Sequence, residues 1–276
     1  MDKTLDHDKI LNLLIEHFIN IGNSIAGKSY LANELKRFGE PLAIKAVQHI
    51  VTIQRLCTPH AFAHSEIVLQ SIIDHPSIAV LTRTALETYL TFNYIFVAPK
   101  SYEVKELRYY CWDIAGYINR ENFPVSTEEN KQRLFEEQAE KKELLLIIEG
   151  NSLYRKMSPE GKKRLRQGNW KIFKNWRDLA REAGLSESYF THIYAYLSDY
   201  CHSGRISAMQ IEQSRDINTQ KQMSDTLIQI CLVILAYLIH DYTLFFPECK
   251  EIHSKNKEAE FYTTVYLNVG NRVEFQ

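Results

Sequence analysis

Between Pro76 and Val97 the chain carries Ile78, Val80, Leu81, Ala85, Leu86, Tyr89, Leu90, Phe92, Tyr94, Ile95 and Phe96, spread almost all round a helical wheel. A helix apolar on every side is stable only when it is buried. Asp74-His75-Pro76 gives its start: an aspartate that can cap free backbone N–H groups, then a proline tolerated in the first turn. Ala98-Pro99 gives its stop. The rest of the chain must therefore wrap around this segment, and it reads as helices too. Ten glycines and seven prolines in 276 residues mean few turns and long elements. Hydrophobic residues, at 45%, suffice for one sizeable core.

Helical spacing of Ile10, Leu11, Leu14, Ile15, Phe18 and Ile21 predicts a helix over residues 5–25. Further helices are expected at 39–57, 101–120, 127–149, 158–168, 175–183, 187–203 and 218–246, with a short one over 60–73. Gly184 should cap one end in the left-handed conformation and Ser186 should cap the next start. Val265, Leu267 and Val269, then Val273 and Phe275 around Gly270-Asn271, alternate as a small C-terminal β-hairpin would. The expected fold is all-α: a single bundle of about eight or nine helices over residues 1–250, with residues 251–276 as a C-terminal extension.

Composition narrows the function classes. The formal net charge is −1, so no global field points to nucleic acid or to an anionic membrane. Five cysteines, an odd number without Cys-x-x-Cys spacing, fit a reducing, cytoplasmic location and argue against a disulfide framework or a zinc knuckle. Thr226 to His240 lacks Asp, Glu, Lys and Arg, yet is shorter than the ~20 residues a membrane span needs. A core helix is expected there, and no membrane. Phosphate-binding glycine loops and Gly-x-Ser-x-Gly are absent.

Chemistry concentrates in two helices. Arg83 and Glu87 stand four apart on one face of the apolar helix. Burying an unpaired charge is costly, so each needs a partner: one reading is a structural ion pair, the other part of a ligand or catalytic site. Tyr194, Ser198 and His202 make a polar strip at i, i+4 and i+8 on a tyrosine-rich helix. A histidine near a helix C-terminus can serve as acid or base near neutrality, or simply satisfy end carbonyls. From Arg155 to Arg181 ten Lys/Arg face two acids, so this stretch is +8 and the remainder −9. Its Lys162, Lys163, Arg164, Arg166, Lys171 and Lys174, interleaved with Trp170, Phe173 and Trp176, could hold phosphates and stack bases, or dock on an acidic helix such as that of Glu136, Glu137, Glu140 and Glu143. Leu179 to Ile193 has helix-turn-helix spacing, but its second helix is too rich in tyrosine to read DNA and suits a core. His60 and His64, with Glu66 close by, could face a metal from one helix, yet no third ligand is evident. No metal or cofactor is expected.

Arg83-x3-Glu87, Trp176-x2-Leu179-Ala180-x3-Gly184 and Tyr194-x2-Leu197-Ser198-x3-His202, in that order, resemble a broad group of bacterial helical proteins catalogued as a domain of unknown function. The resemblance covers residues 70–245 and implies that the Arg83/Glu87 helix meets the Ser198/His202 helix. More loosely, the chain resembles the HEPN ribonucleases, helical and often dimeric proteins of toxin and phage-defence systems. Their signature places an arginine and a histidine on one helix, acting on the RNA phosphate and 2′-hydroxyl. Here no arginine precedes His202 at that spacing, so Arg83 or Arg205 must take its place in space. The resemblance thus implies an RNA- or nucleotide-directed effector with His202 as acid or base, Arg83 on phosphate, Glu87 orienting Arg83, and Tyr194 and Ser198 shaping the pocket. A homodimer is a further expectation. The alternative is a non-enzymatic interaction or sensor module in which these residues are structural.

Overall fold

The computed structural model describes residues 6–27, 37–60, 63–64, 67–68, 71–172 and 174–272. Thirteen α-helices lie among them: α1 His7–Asn23, α2 Gly39–Leu56, α3 His75–Phe92, α4 Tyr102–Glu121, α5 Glu128–Gly150, α6 Ser152–Arg155, α7 Pro159–Arg166, α8 Trp176–Glu182, α9 Glu187–Cys201, α10 Arg205–Gln213, α11 Ile217–Phe245, α12 Lys250–Lys255 and α13 Lys257–Arg272. The all-α class is as the sequence predicts. The count exceeds the expected eight or nine because α6, α10, α12 and α13 are additional.

Two helices form the centre. α3 buries Ile78, Ala79, Ala85, Leu86, Tyr89, Leu90 and Phe92 and continues as a π-helical turn, Asn93–Val97. Asp74 caps it by accepting from the Ser77 amide at 3.1 Å. α11 buries nearly every residue from Leu227 to Phe245. It is the one described helix long and apolar enough to cross a membrane, and 83% of its most apolar window is buried inside the protein. α3 packs on α2, α11, α9 and α8, while α1 and α13 cover other sides of α11. Membership of both central helices in one core follows from apolar residues that run almost all round each of them, α3 from Ile78 to Phe92 and α11 from Leu227 to Phe245.

The segment predicted as a short helix over 60–73 is instead extended where it is described. Ala63–His64 (β1) and Ile67–Val68 (β2) pair antiparallel, with Ala63 opposite Val68 and His64 opposite Ile67, and His60 bridges Ile72. β-Branched Ile67, Val68, Ile72 and Ile73 suit that conformation. The C-terminal hairpin is likewise corrected. Residues 257–272 form α13, and Val273 and Phe275 lie outside the described residues. The buried positions there are Ala259, Thr263, Tyr266 and Gly270, which step by four, three and four along a helical face. The alternation of Val265, Leu267 and Val269 samples the half-buried flanks of that face. Gly270 serves close packing: a Cβ on it would stand 2.6 Å from the Tyr237 ring. Its carbonyl accepts the Ser186 amide at 2.9 Å, which ties α13 to the start of α9.

The α8–α9 corner is built as its sequence implies. Asn175 and Asp178 form a reciprocal capping box on α8. Gly184 is left-handed, with φ +86°, and Ser186 caps α9 through the Tyr189 amide. α9 then turns Tyr189, Phe190, Ile193, Leu197 and Tyr200 into the core, which makes it a core helix.

Candidate functional site

α9 leans on α3 so that the Arg83 guanidinium meets three partners. Its Nε donates to Glu87 Oε1 at 2.9 Å, one Nη to the Tyr194 hydroxyl at 2.9 Å, and the other Nη approaches His202 Nε2 at 3.2 Å. Tyr194 in turn donates to Glu87 Oε1 at 2.7 Å, and its ring lies under the guanidinium, 4.8 Å from centroid to Cζ. The two sequence motifs, more than a hundred residues apart, thus converge in one network. Sequence spacing placed each pair on its own helix face; the crossing of α3 and α9 puts the faces together.

Chemical states follow from this geometry. A guanidinium can only donate, so in this contact His202 Nε2 is the acceptor. Burial opposes the charge on Arg83, but its bonds to Glu87 and Tyr194 outweigh that and raise its pKa. Burial and donation to Glu87 push the Tyr194 hydroxyl up to about 12. The Arg83 and Glu87 side chains keep 16% and 27% of their exposure, and His202 is exposed. The network is therefore rooted in the core and opens to solvent at the imidazole. Ser198 is different from its neighbours on the strip. Its hydroxyl donates to the Tyr194 carbonyl at 2.6 Å, so it serves its own helix. Arg205 is exposed at the start of α10, and among the described residues no hydrogen bond or ion pair joins it to Arg83 or His202.

The basic stretch is divided between two places. On α7, Arg164 pairs with Glu160 at 3.0 Å and Arg166 with Glu149 at 2.7 Å. Lys162 donates to the Arg155 carbonyl at 3.1 Å, and Lys163 is exposed. Lys174 pairs with Glu182, which also takes Arg108 at 2.6 Å. Burial opposes the Glu182 charge, but the bonds from Lys174 and Arg108 lower its pKa overall. The acidic partners are thus Glu149, Glu160 and Glu182, whereas Glu137 pairs with Arg120 at 2.7 Å and Glu140 takes the Tyr117 hydroxyl at 2.6 Å. Trp170 and Trp176 meet edge to face at 6.2 Å, and Trp170 also packs on Tyr94 at 5.9 Å. These rings are half-buried structural contacts, and Phe173 lies outside the described residues.

Lys171 stands apart from its basic neighbours. Its ammonium lies 4.3 Å from the centroid of Trp176 and 5.6 Å from that of Trp170. Burial lowers its pKa against the attraction of Glu87. Its carbonyl accepts the Tyr94 hydroxyl at 3.3 Å. Among the described residues, two that are not glycine have left-handed backbone: Ile172 at φ +47° and Ser203 at φ +53°. One directly follows Lys171 and the other His202.

Among the described residues no group of histidine, cysteine, aspartate or glutamate could hold a metal, and the His64 side chain and Glu66 lie outside them. An apolar groove of about 600 Å³ runs between α1 and α2 over Tyr242, and none of the site residues lines it. No curated protein and no solved structure matches this chain. The model of a family of unknown function, DUF5677, matches residues 67–219, a span that holds Arg83, Glu87, Lys171, Tyr194 and His202.

Proposed function

The chain belongs to the DUF5677 family of unknown function, and for it we propose an RNA-directed activity in which Arg83 binds a phosphodiester and His202 takes the 2′-hydroxyl proton. One observation carries this reading: a guanidinium fixed by three partners at the mouth of the network, against an exposed imidazole. Arginine has five N–H donors. Three bonds leave two N–H groups for an incoming oxyanion, in the fork geometry that suits phosphate. Glu87 and Tyr194 hold that fork in place before a ligand arrives, which is what preorganised binding requires.

The free protein occupies the His202 Nε2 lone pair with an Arg83 N–H. A phosphate that draws this N–H releases the lone pair at the moment substrate is seated. The imidazole then accepts the 2′-hydroxyl proton, the 2′ oxygen bonds to phosphorus, and the bond to the 5′ oxygen breaks. The products are a 2′,3′-cyclic phosphate and a 5′-hydroxyl end. This is the chemistry that the HEPN resemblance implies, with an arginine from a second helix in place of one on the histidine's own helix. Placement in a bacterial toxin or phage-defence system belongs to the same proposal.

A second reading has its own observation. The network closes among the protein's own residues, as structural ion pairs do, and the chain is then an interaction or sensor module. Bulk and transfer RNA incubated with wild type, His202→Ala and Arg83→Lys, all checked for equal folding, separate the two. Cleavage by wild type, with 2′,3′-cyclic ends, and its loss in both variants supports the first. No cleavage across a range of pH and ionic strength overturns it and leaves the second.

A further inference from the structure

The groove between α1 and α2 lies apart from the Arg83 network, and its shape and charge carry an inference of their own: we propose that it is the contact face of a symmetric dimer, covered by a second copy of this chain. α1 packs on α11 and α2 on α3, while α1 and α2 touch each other little. The recess this leaves, of about 600 Å³, is lined by Tyr242 of α11, by Phe18 and Gly22 of α1 and by Val47 of α2. Ile19 and Ile44 on its walls keep 48% and 42% of their exposure. Large apolar side chains gathered on a recess, rather than scattered singly, mark an association surface.

The α2 wall says what covers it. Its groove side carries Glu40, Ile44, Val47, Gln48, Val51 and Arg55, a single stripe at helical spacing. The stripe is acidic at the helix N-terminus, basic at the C-terminus and uncharged between. A two-fold axis perpendicular to α2, midway between Val47 and Gln48, makes this stripe complementary to itself. It sets Glu40 against the partner's Arg55, Ile44 against the partner's Val51, and Val47 against the partner's Gln48. Each pair occurs twice, as an isologous contact requires. Helices so related run antiparallel, so each end also meets a helix end of opposite dipole. A parallel pairing would set Glu40 on Glu40 and Arg55 on Arg55, which like-charge repulsion opposes.

The two charges are available for this. They stand about 22 Å apart along the helix axis, too far to pair within one chain, and among the described residues neither has an ion pair. No other charge intrudes. The α1 side of the groove is uncharged, and Lys45, though exposed, does not line it. None of the Arg83 network lines the groove either, so this contact stands whether or not the RNA-directed reading does.

The test reads self-association of the full chain. Sedimentation equilibrium over a concentration series into the millimolar range gives the dissociation constant, and wild type should dimerise. Ile44→Asp alters an exposed side chain, so the fold, followed by circular dichroism, should persist while the dimer is lost. Glu40→Arg and Arg55→Glu each put like charges at both ends of the contact, and each alone should weaken the dimer by about tenfold or more. Mixed in equal amounts, the two variants complement each other at both ends and should form heterodimers, although neither pairs with itself. That rescue is specific to the antiparallel two-fold arrangement. The proposal is overturned if wild type stays monomeric throughout, if the dimer survives Ile44→Asp, or if mixing the charge variants restores nothing. A monomer whose groove takes up an anilinonaphthalene dye, and loses it in Ile44→Asp, would overturn it in favour of a small apolar ligand.

Discussion

Replacing Arg83 by methionine removes three donated bonds at once and leaves the Glu87 carboxylate with only the Tyr194 hydroxyl from this network. Two of the lost bonds join half-buried groups, and charge-assisted bonds of that kind contribute about 1.5 kcal/mol each. The third reaches an exposed imidazole, where solvent competes, and contributes little. Release of the ordered arginine returns about 1 kcal/mol of side-chain entropy, so the expected net loss is about 2 kcal/mol. Replacing Glu87 by methionine as well removes the stranded carboxylate. Exchanging a whole desolvated ion pair for apolar side chains of similar volume is often neutral or stabilising. The double variant should therefore lie within about 0.5 kcal/mol of wild type, and because Glu87→Met alone also strands its partner, the two positions should couple by more than about 2 kcal/mol in a double-mutant cycle. Urea unfolding at one pH, with a shared slope across the set, measures all four proteins. Equal losses in the single and double variants would refute the reasoning, because the cost would then come from lost packing. A stable double variant without activity would identify a pair retained for chemistry.

Three further outcomes are expected. Asp241 is 5% exposed, accepts from Tyr89 at 3.0 Å and Asn93 at 2.7 Å through one oxygen, and has its pKa raised by burial. A raised carboxyl loses stability as pH climbs above its unfolded value, so Asp241→Asn, which keeps an oxygen for both donors, should stabilise by about 1 kcal/mol near neutral pH and by less in acid, as chemical denaturation at the two pH values would show. His17, buried beside His253 at 2.8 Å, is pushed down from 6.5 to about 4 by burial and by that neighbour. Its contribution, about 3 kcal/mol, is present above the unfolded value and lost as pH falls toward the folded one; a flat pH–stability profile between those values, or one unchanged in His17→Phe, would contradict this. Gly204→Ala would drive a Cβ into the Asp199 carboxylate, which also receives the Ser207 amide at the α10 start. It should cost about 1–2 kcal/mol by loss of that cap, and should shift the His202 ring resonances in NMR.

Much of this architecture is legible before any coordinates. The apolar wheel from Ile78 to Phe96, the Asp74 cap and the Gly184 turn are local signals, and each stands where its chemistry predicts. Arg83 with Glu87, and Tyr194 with His202, are equally visible, because their spacing is a property of one helix. Their meeting depends on how α3 and α9 cross, which no local pattern encodes; the resemblance implied it. Lys171 is visible in the sequence only as one cation among ten. Its distinction arises from the Trp176 face, the Tyr94 hydroxyl and the left-handed Ile172. The C-terminal segment misleads because Val265, Leu267 and Val269 alternate by chance while the buried set from Ala259 to Gly270 keeps helical period. Composition likewise exaggerates the basic stretch: Arg164, Arg166 and Lys174 pair with glutamates on α7, α5 and α8, and Arg177 and Arg181 with Glu187 on α9.

The place of α11 sets the order in which this molecule can be assembled on the ribosome. α1 buries its apolar face on α11, and α3 leans on it as well, yet about two hundred residues are translated between α1 and α11. Until α11 has emerged, the apolar residues of α1, α2 and α3 lack their central partner. Closing such long loops before any contact rewards them slows folding and prolongs exposure of sticky surface. A nascent chain stalled before Ile217 should be a client for holding chaperones, and one extended through Phe245 should escape them.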